Sequence, residues 1–560
     1  MLDSYNMIKH APALMLAVLL LALYGATFSR HLYLEDSGEF VAAAHTLSIP
    51  HPSGYPTYLA TTKLASLIPF LPTVVERINF VSAIWTIAAV VLLYYVLAML
   101  FKSRLIAFSL GTLFAIAPLV WQQATYAEVY SLNTFFFVVL MWSAAHYYER
   151  KTDKRLHLFF FLYGLSLTNH FLPLALAPLI LFWLLITHVP TKNAGLYMKL
   201  VLAWLAGLLP YLYIPIRNSM NPAFSWFGGD AAKILTYNIA YGWRLNEHTL
   251  SYLADVGREM AVSYGLIGAV AFIIGLGAMM RYKHEARYWL LGALCLLSIG
   301  VVIVLTNGRP YTAFESQFYR TLYVPFLMLS LLPIGYLLQK MTKSRYKLII
   351  FYTSLLAIMA WPATDLGKRF LANDRSDYVL MENYTRELLE ALPADGTLYS
   401  HHDHIMNDTL VFGLAYQRYV ADIRPDVAIY SLTPVFPPPG DFPLQEDPKQ
   451  PYEPILNAYL DLMYEPETVS ATFPRPSHGL PAAMPKNYAA DNLYLPSVND
   501  NLYHRSLLAK YYYDLAAYAY AKENLASGQR FLVQAIDYDP EQFSDYYQRT
   551  LAIRNRYFSN

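Results

Sequence analysis

Several ionisable side chains lie in one short stretch that directly follows a long apolar segment near the N-terminus. The stretch reads LEDSGEFVAAAHTLSIPHPSGYPTY, and its ionisable residues are Glu35, Asp36, Glu39, His45 and His51. Carboxylates beside a bilayer are costly and are usually functional. Asp36 and Glu39 have the i,i+3 spacing, so they share a face if the segment is helical. The stretch therefore predicts a catalytic carboxylate.

Asp36 is the candidate general base, because it stands nearer the end of the apolar segment. A general base takes the proton from an incoming hydroxyl group during reaction. Glu39 would position the acceptor or tune Asp36, since two close carboxylates push their pKa values apart. The alternative interpretation is a solvated turn at the interface, or a carboxylate that caps the start of a helix.

Two further polar positions are candidate substrate contacts. Glu128 lies in WQQATYAEVYSLN, between two tightly connected apolar segments, and His170 follows Asn169 in LSLTNHFLP. Glu128 could instead be the partner of a tyrosine or a residue of the membrane interface. A lone histidine such as His170 is more often a packing residue, but it could also touch substrate.

Arginines in a later loop are candidate phosphate ligands. Arg309 and Arg320 lie in NGRPYTAFESQFYRTLYVP, and Arg217 and Lys63 are weaker candidates of the same kind. Arginine binds phosphate with two parallel hydrogen bonds, although arginine at a membrane face often only extends its charge toward water.

A histidine-rich cluster resembles a set of metal ligands. Its members are His401, His402, Asp403 and His404. Adjacent positions on a strand point to opposite faces, so these side chains cannot all converge on one ion. We predict no metal site there. The chain also lacks a P-loop, a Gly-rich dinucleotide turn, a GxSxG elbow and an HExxH motif.

The composition is that of an integral membrane protein. Of 560 residues, 56% are hydrophobic and 14% are charged, against about 25% charged in soluble domains. The net charge of +1 gives no reason to expect nucleic-acid binding. The single cysteine, Cys295, provides neither a disulfide nor a cysteine metal site.

The elements that position these residues are apolar segments of spanning length, which is about 20 residues. Eleven segments are predicted to be transmembrane helices, and the stretch 57–70 a helix lying at the interface. The segments are residues 11–29, 78–100, 105–121, 126–148, 157–172, 173–189, 199–216, 260–280, 288–305, 321–339 and 347–362. The first could be a signal peptide, but its length and the spans that follow favour a helix that stays attached.

The distribution of lysine and arginine predicts the orientation. These residues are more numerous in the short loops on the side of Lys9, Lys102 and Lys340 than in the loops on the opposite side. Cytoplasmic loops carry this excess of positive charge. The N-terminus is therefore predicted to be cytoplasmic, and the loop of Asp36 and the C-terminal third extracytoplasmic.

Soluble patterning begins near Ala363. Residues 1–362 are predicted to be the transmembrane domain and 363–432 a small α/β domain, with helices at 377–391 and 408–420 and with strands in GTLYSHHDH and DVAIYSL. Residues 433–500 are rich in proline and form a loop or linker. Residues 501–560 match one tetratricopeptide helix pair, whose exposed face would pack on neighbouring helices.

Three motifs carry a resemblance to a known family. LEDSGEF with HPSGYPTY, AEVYSLN and GLSLTNH resemble the transmembrane-protein-260-like protein O-mannosyltransferases of the C-type (GT-C) glycosyltransferase superfamily, over about residues 10–365. The acidic motif falls on Asp36 and Glu39. The HPPGYP-type motif falls on His51, Pro52, Gly54, Tyr55 and Pro56, with Ser53 in place of the second proline.

The resemblance implies an α-helical polytopic enzyme of the bacterial inner membrane. It would move mannose or another hexose from a polyprenyl-phosphate donor to a serine or threonine hydroxyl of a protein, with inversion. Asp36 would be the base and Arg320 would hold the leaving phosphate. The expected substrate contacts are His51, Tyr55, Glu128, His170, Arg309 and Arg320, and a divalent metal is not required.

Other functions stay open at this point. The same chemistry could act on a lipid-linked glycan or an envelope polysaccharide rather than on a protein. The chain could also be a transporter or a non-catalytic scaffold for envelope assembly. A transporter is expected to have a pair of broken helices in matching halves, and the sequence shows no obvious pair of this kind. A scaffold would tolerate the loss of Asp36. The expected partners are a lipid-linked sugar, a protein or glycan acceptor and membrane lipids.

Overall fold

A computed structural model describes most of the chain. The described residues are 2–170, 194–227, 249–281, 316, 319–342, 345–390, 394–400, 406–431, 433–437, 470–471, 525–538 and single positions at 505, 508, 509, 512, 513, 516, 519, 520 and 555. Arg309, Cys295, the cluster at 401–404, two predicted spans (173–189 and 288–305) and almost all of the proline-rich stretch lie outside them.

The membrane part is built from helices that we number along the described chain. They are α1 (Leu2–Thr27), α2 (Ser37–Thr46), α3 (Pro56–Leu67), α4 (Val74–Phe101), α5 (Arg104–Ala115), α6 (Pro118–Gln123), α7 (Val129–Glu149), α8 (Asp153–Leu167), α9 (Ala194–Gly207), α10 (Tyr213–Asn218), α11 (Thr249–Arg281), α12 (Val324–Met341) and α13 (Arg345–Thr364). Short 3-10 turns, Leu209–Leu212 and Arg320–Tyr323, precede α10 and α12.

Within the described residues, 5 helices are long and apolar enough to cross a membrane, or up to 7 if each bent pair counts as one span. The helical membrane architecture agrees with the prediction, but the count of eleven spans is not confirmed. The predicted span 105–121 is divided into α5 and α6, because the chain leaves the helix at Ile116 and Pro118 starts a new one. The predicted span 157–172 coincides with α8, which has only 15 residues.

Local signals explain where the long helices begin and end. Thr73 and Glu76 form a capping box at the start of α4, with the Thr73 hydroxyl accepting from the Glu76 N–H. Lys102 ends the same helix in a left-handed conformation. The predicted interfacial helix is α3, which begins with Pro56 at its first turn. Its twelve residues are too few to span a bilayer.

The part of the chain that follows α13, predicted from the sequence to be extracytoplasmic, contains short helices and a small sheet. Its elements are α14 (Leu366–Asn373), α15 (Leu380–Glu390), β1 (Thr397–Ser400), α16 (Met406–Tyr419), β2 (Ala428–Ser431), β3 (Ser470–Ala471) and α17 (Leu525–Tyr538). Strands β1 and β2 are parallel, with Leu398 beside Ile429, and the described sheet has the order β2-β1-β3. A parallel pair needs a crossover connection, and α16 provides it, as the sequence predicts.

A shared apolar core joins the part that follows α13 to the loop after α1. Leu32, Tyr33 and Leu34 of that loop pack in one cluster with α2, with α15 and α16, and with described positions after 500. A separate cluster fills the interior between α1, α4, α5, α11 and α12. The stretch with the ionisable residues therefore packs into the first of these cores rather than forming an isolated surface loop.

Candidate active site

Asp36 and Glu39 lie at the N-terminal end of α2. Asp36 is the residue before the first helical turn, and Glu39 lies within that turn. The Asp36 side chain is 35% exposed, whereas the Glu39 side chain is fully buried. The N-terminus of a helix carries partial positive charge, which favours carboxylates there. The predicted pair is thus present, but only Asp36 is open to an incoming substrate.

Glu39 binds His51 through both of its carboxylate oxygens. The Oε2 atom lies 2.5 Å from His51 Nδ1, and the Oε1 atom accepts the His51 backbone N–H at 3.0 Å. A carboxylate at Nδ1 fixes the ring orientation and places a proton on that nitrogen. Glu39 therefore determines which nitrogen of His51 faces the rest of the site.

The other nitrogen of His51 faces two groups. His51 Nε2 lies 2.7 Å from the Tyr55 hydroxyl and 3.7 Å from Asp36 Oδ2. The Tyr55 hydroxyl is also 3.0 Å from the Pro52 carbonyl oxygen, to which it donates when Nε2 carries a proton. The turn that makes this approach contains Gly54, whose φ is +79°, a conformation that glycine adopts at low cost.

Burial and neighbouring charges shift the pKa values of the acid groups of the site. Burial raises the pKa of Asp36, the nearby charge of His51 lowers it and the charge of Glu39 raises it. The pKa of Glu128 is raised well above its ordinary value, mainly by burial and then by the charge of Asp36. A carboxylate with a raised pKa is a stronger base. Glu128 is 2% exposed, and its Oε2 atom accepts the Val129 N–H.

His170 lies next to this group through aromatic contacts. Its ring stacks on Tyr55 with centroids 6.0 Å apart and meets Tyr130 at 5.4 Å. Burial lowers the pKa of His170 to about 3, so the imidazole is neutral. The Asn169 amide donates to the Val129 carbonyl oxygen at 3.3 Å. The structure therefore brings the AEVYSLN and LTNH motifs together beside Tyr55, although they lie far apart in sequence.

The predicted phosphate ligands that the structure describes lie in two places. Arg320 forms an ion pair with Glu259, at 2.9 Å from Nη2 to Oε2, and its side chain is 39% exposed. Thr321 lies within hydrogen-bonding reach of the Tyr130 hydroxyl. This contact connects the Arg320 turn to the aromatic wall of the site, which is formed by His170 and Tyr55. Lys63 and Arg217 donate to the carbonyl oxygens at the end of α2.

The described residues contain no group of three or more histidine, cysteine, aspartate or glutamate side chains that could hold a metal ion. Arg309 and the cluster at 401–404 fall outside these residues, so both remain predictions from the sequence.

Three contacting residues were not singled out from the sequence. Glu35 accepts a hydrogen bond from the Tyr126 hydroxyl at 3.0 Å. Arg375 is buried, and its guanidinium lies 5.1 Å from the ring centre of Tyr33. Glu382 lies 3.2 Å from His31. Glu35 belongs to the acidic stretch and could have been found there, whereas Arg375 and Glu382 carry no local signal.

These observations define a polytopic helical membrane protein with a carboxylate and histidine site at the N-terminus of a short helix. A sequence model of the family described as the Protein O-mannosyl-transferase TMEM260 N-terminal domain matches residues 36–193. The match begins at Asp36 and covers the three motifs except for Leu34 and Glu35, and it supports the family predicted from them.

Two curated relatives extend the similarity beyond that domain. Protein O-mannosyl-transferase TMEM260 of Mus musculus is 26% identical over 433 residues, which are 73% of this chain and 60% of the relative. Protein O-mannosyl-transferase tmem260 of Dictyostelium discoideum is 24% identical over 451 residues, 71% of this chain and 54% of the relative. The matched part is thus less than two thirds of either relative.

Proposed function

We propose that this protein is a membrane glycosyltransferase that moves mannose or another hexose from a polyprenyl-phosphate donor to a serine or threonine hydroxyl of a protein. The observation that carries the proposal is the partly exposed Asp36, set beside a His51 ring that buried Glu39 holds in place. The names of the two relatives support protein mannosylation. The excess of positive charge in the loops of the opposite side supports an extracytoplasmic site.

Asp36 acts as the general base in this proposal. Its carboxylate takes the proton of the acceptor hydroxyl as the hydroxyl oxygen attacks the anomeric carbon of the sugar. The bond between that carbon and the phosphate oxygen breaks, and polyprenyl phosphate leaves with the bonding electrons. One displacement inverts the configuration at the anomeric carbon. The raised pKa of Asp36 makes its carboxylate a stronger base for this proton transfer.

Glu39 and His51 act on Asp36 rather than on the substrate. Glu39 is fully buried and has both oxygens engaged by His51, so it cannot reach an acceptor. His51 Nε2 faces Asp36 and stabilises its carboxylate when protonated. Tyr55 completes the arrangement, because its hydroxyl can either donate to Nε2 or accept from it. In this proposal Asp36 is therefore the base and Glu39 is a positioning residue.

Arg320 is the cation that we assign to the leaving phosphate. The ion pair with Glu259 fixes one edge of the guanidinium, and over a third of the side chain stays exposed. A fixed cation stabilises the charge that grows on the phosphate as the bond breaks. The contact between Thr321 and Tyr130 places the Arg320 turn beside the wall formed by His170 and Tyr55.

Transfer in reconstituted vesicles tests the proposal. Purified protein, a polyprenyl-phosphate mannose and a serine- or threonine-rich peptide should give a mannosylated peptide detected by mass. Asp36→Asn should lower transfer about 100- to 10,000-fold, to a small residual rate, without loss of expression. Asp422→Asn is the matched control, because the Asp422 side chain is exposed. Its backbone has the left-handed conformation, and asparagine adopts that conformation as readily as aspartate.

Each alternative function has its own result in that assay. Transfer to an added lipid-linked glycan but not to the peptide would change the acceptor class. Transfer by Asp36→Asn at the wild-type rate would overturn the base assignment. A scaffold or transporter would be favoured by a different result. The protein would transfer sugar to neither acceptor, and the Asp36→Asn variant would fully rescue the growth defect of a strain that lacks the protein.

A further inference from the structure

The loop that carries Asp36 is bound by α15. Glu382 of that helix accepts the Leu32 backbone N–H at 3.1 Å, and the same oxygen lies 3.2 Å from His31 Nδ1. The Glu382 side chain is 19% exposed. One carboxylate therefore fixes both the backbone and a side chain of the loop, four residues before the base.

Aromatic and cationic contacts hold the next part of the loop. The Tyr33 ring lies between Tyr126 and Tyr378, with centroids 4.5 Å and 4.8 Å away. Arg375 donates its backbone N–H to the Thr27 carbonyl oxygen at 2.9 Å. Its guanidinium faces the Tyr33 ring and donates to Thr125 at 3.1 Å. The end of α1, the loop and the start of the part that follows α13 are thus joined around one buried arginine.

The helix α16 packs directly on the first turn of α2. A Cβ atom added at Gly38 would lie 2.3 Å from the Phe412 carbonyl oxygen, which is closer than any unstrained contact. Only glycine permits this approach of two backbones. Gly38 lies between Asp36 and Glu39, so the backbone of α16 sets the position of the turn that carries both carboxylates.

We propose that Arg375, α15 and α16 are an integral part of the catalytic centre, with Glu382 as a positioning residue for Asp36. This inference rests on the proposed function for its kinetic consequence. Residues 375–419 lie outside the matched N-terminal domain, which ends at 193. Glu382 can affect the rate of transfer through the position of Asp36 alone, because a displacement of about 1 Å at a reacting group can cost about 100-fold in rate.

Hydrogen exchange tests the positioning without any assay of activity. In Glu382→Ala, the Leu32 N–H loses its acceptor, so the peptides that cover residues 31–39 should exchange at least about tenfold faster than in the wild type. Peptides from α4 and α7 should be unchanged. Glu390→Ala is the matched control, because Glu390 is an exposed glutamate on the same helix. Equal exchange of residues 31–39 in the two variants and the wild type would overturn the inference.

Kinetics separate a positioning role from a general loss of structure. Glu382→Ala should lower kcat at least about tenfold with little change in KM for the lipid donor. Glu382→Gln should recover part of kcat, because its carbonyl oxygen still accepts the Leu32 N–H. An unchanged kcat in Glu382→Ala, or a Gln variant as impaired as the Ala variant, would contradict the proposal.

The two failures can be told apart. If the wild type transfers no sugar while Glu382→Ala still loosens residues 31–39, the proposed function fails and the positioning of the loop stands. If Asp36→Asn reduces transfer to a small residual rate while Glu382→Ala transfers at the wild-type rate, the proposed function stands and the positioning role fails.

Discussion

The two ends of α2 are surrounded by side chains of opposite charge. At the N-terminal end, Asp36 and Glu39 add negative charge, and at the C-terminal end Lys63 and Arg217 add positive charge. Lys63 Nζ lies 2.5 Å from the His45 carbonyl oxygen, and Arg217 Nε lies 2.7 Å from that of Leu47. Both arrangements complement the helix dipole.

The comparison shows that a charge near the membrane interface can serve two purposes. The sequence suggested Lys63 and Arg217 as weak phosphate ligands, and in the structure each of them donates to a carbonyl oxygen at the end of α2. Each carboxylate at the other end has a different surrounding, since Glu39 is fully enclosed while Asp36 is partly exposed. In the proposed function the N-terminal end carries the chemistry and the C-terminal end contributes stability, and substitutions at the two ends should separate these roles.

After Asp36→Asn, the largest effect is expected for Glu39→Gln. The amide cannot accept from both the N–H and Nδ1–H of His51 as the carboxylate does, so the ring and Asp36 lose their fixed positions. The value of kcat/KM should fall about 100-fold, measured by transfer to peptide in vesicles. Glu149→Gln, at an exposed surface ion pair, should have no effect. A loss of less than threefold in Glu39→Gln would remove Glu39 from the site.

Gly38→Ala should be next in size and should act on stability as well as activity. The added methyl group meets the Phe412 carbonyl, and overpacking of this kind costs about 1–3 kcal/mol. The thermal midpoint in detergent should fall. Gly25→Ala is the control, since a Cβ at Gly25 has no atom within 4 Å among the described residues. If both variants have equal midpoints, α16 does not constrain α2.

Lys63→Met and Arg217→Met should have smaller effects that are confined to stability. Each removes a cation that interacts with the last carbonyl oxygens of α2, which is worth about 0.3–1 kcal/mol. The expected result is a small decrease of the thermal midpoint, with KM for the lipid donor within about twofold of the wild type. A KM increase of tenfold or more in either variant would restore that residue as a phosphate ligand and would blur the contrast between the two ends.

The pair of His31 and Glu382 should produce the smallest effect, a shallow dependence of stability on pH. The hydrogen bond to Glu382 raises the pKa of His31 above 6.5. Burial opposes the shift of Glu382, but the bond to His31 lowers its pKa below 4.5. The His31 contribution is complete below pH 6.5 and is lost as pH rises through its folded pKa. The Glu382 contribution is complete above pH 4.5 and is lost as pH falls through its folded pKa.

The pair is therefore most stabilising between pH 4.5 and 6.5. The thermal midpoint of the wild type minus that of His31→Gln should be largest in this window and should decrease on both sides of it. A difference that grows continuously from pH 6.5 to 9 would contradict the pairing.

The sequence predicted the elements better than the contacts between them. Helical periodicity and alternating strands placed α4, α7, β1, α16 and β2 near their observed positions. The division between α5 and α6 was missed, although Pro118 was a visible signal for a new helix start. Overall apolar character outweighed that signal, and it does not distinguish one long helix from two short ones.

The candidate site could be predicted only in part, because its contacts connect distant positions. Asp36, Glu39 and His51 are close in the chain, so one motif revealed them. Glu382 contacts His31 across 351 positions, and no local pattern marks such a pair. The distinct roles of Asp36 and Glu39 also depend on burial, which their spacing alone does not determine.

The pH dependence of kcat/KM tests most directly the claim that Asp36 is the base. Burial raises the pKa of Asp36 and His51 opposes that shift. The acid limb of the wild-type profile should therefore have its midpoint above 3.8, and His51→Gln should move it higher. Because Glu128 also has a raised pKa, the limb must persist in Glu128→Gln and vanish from the residual activity of Asp36→Asn. A limb that survives in Asp36→Asn, or that vanishes in Glu128→Gln, would contradict the account.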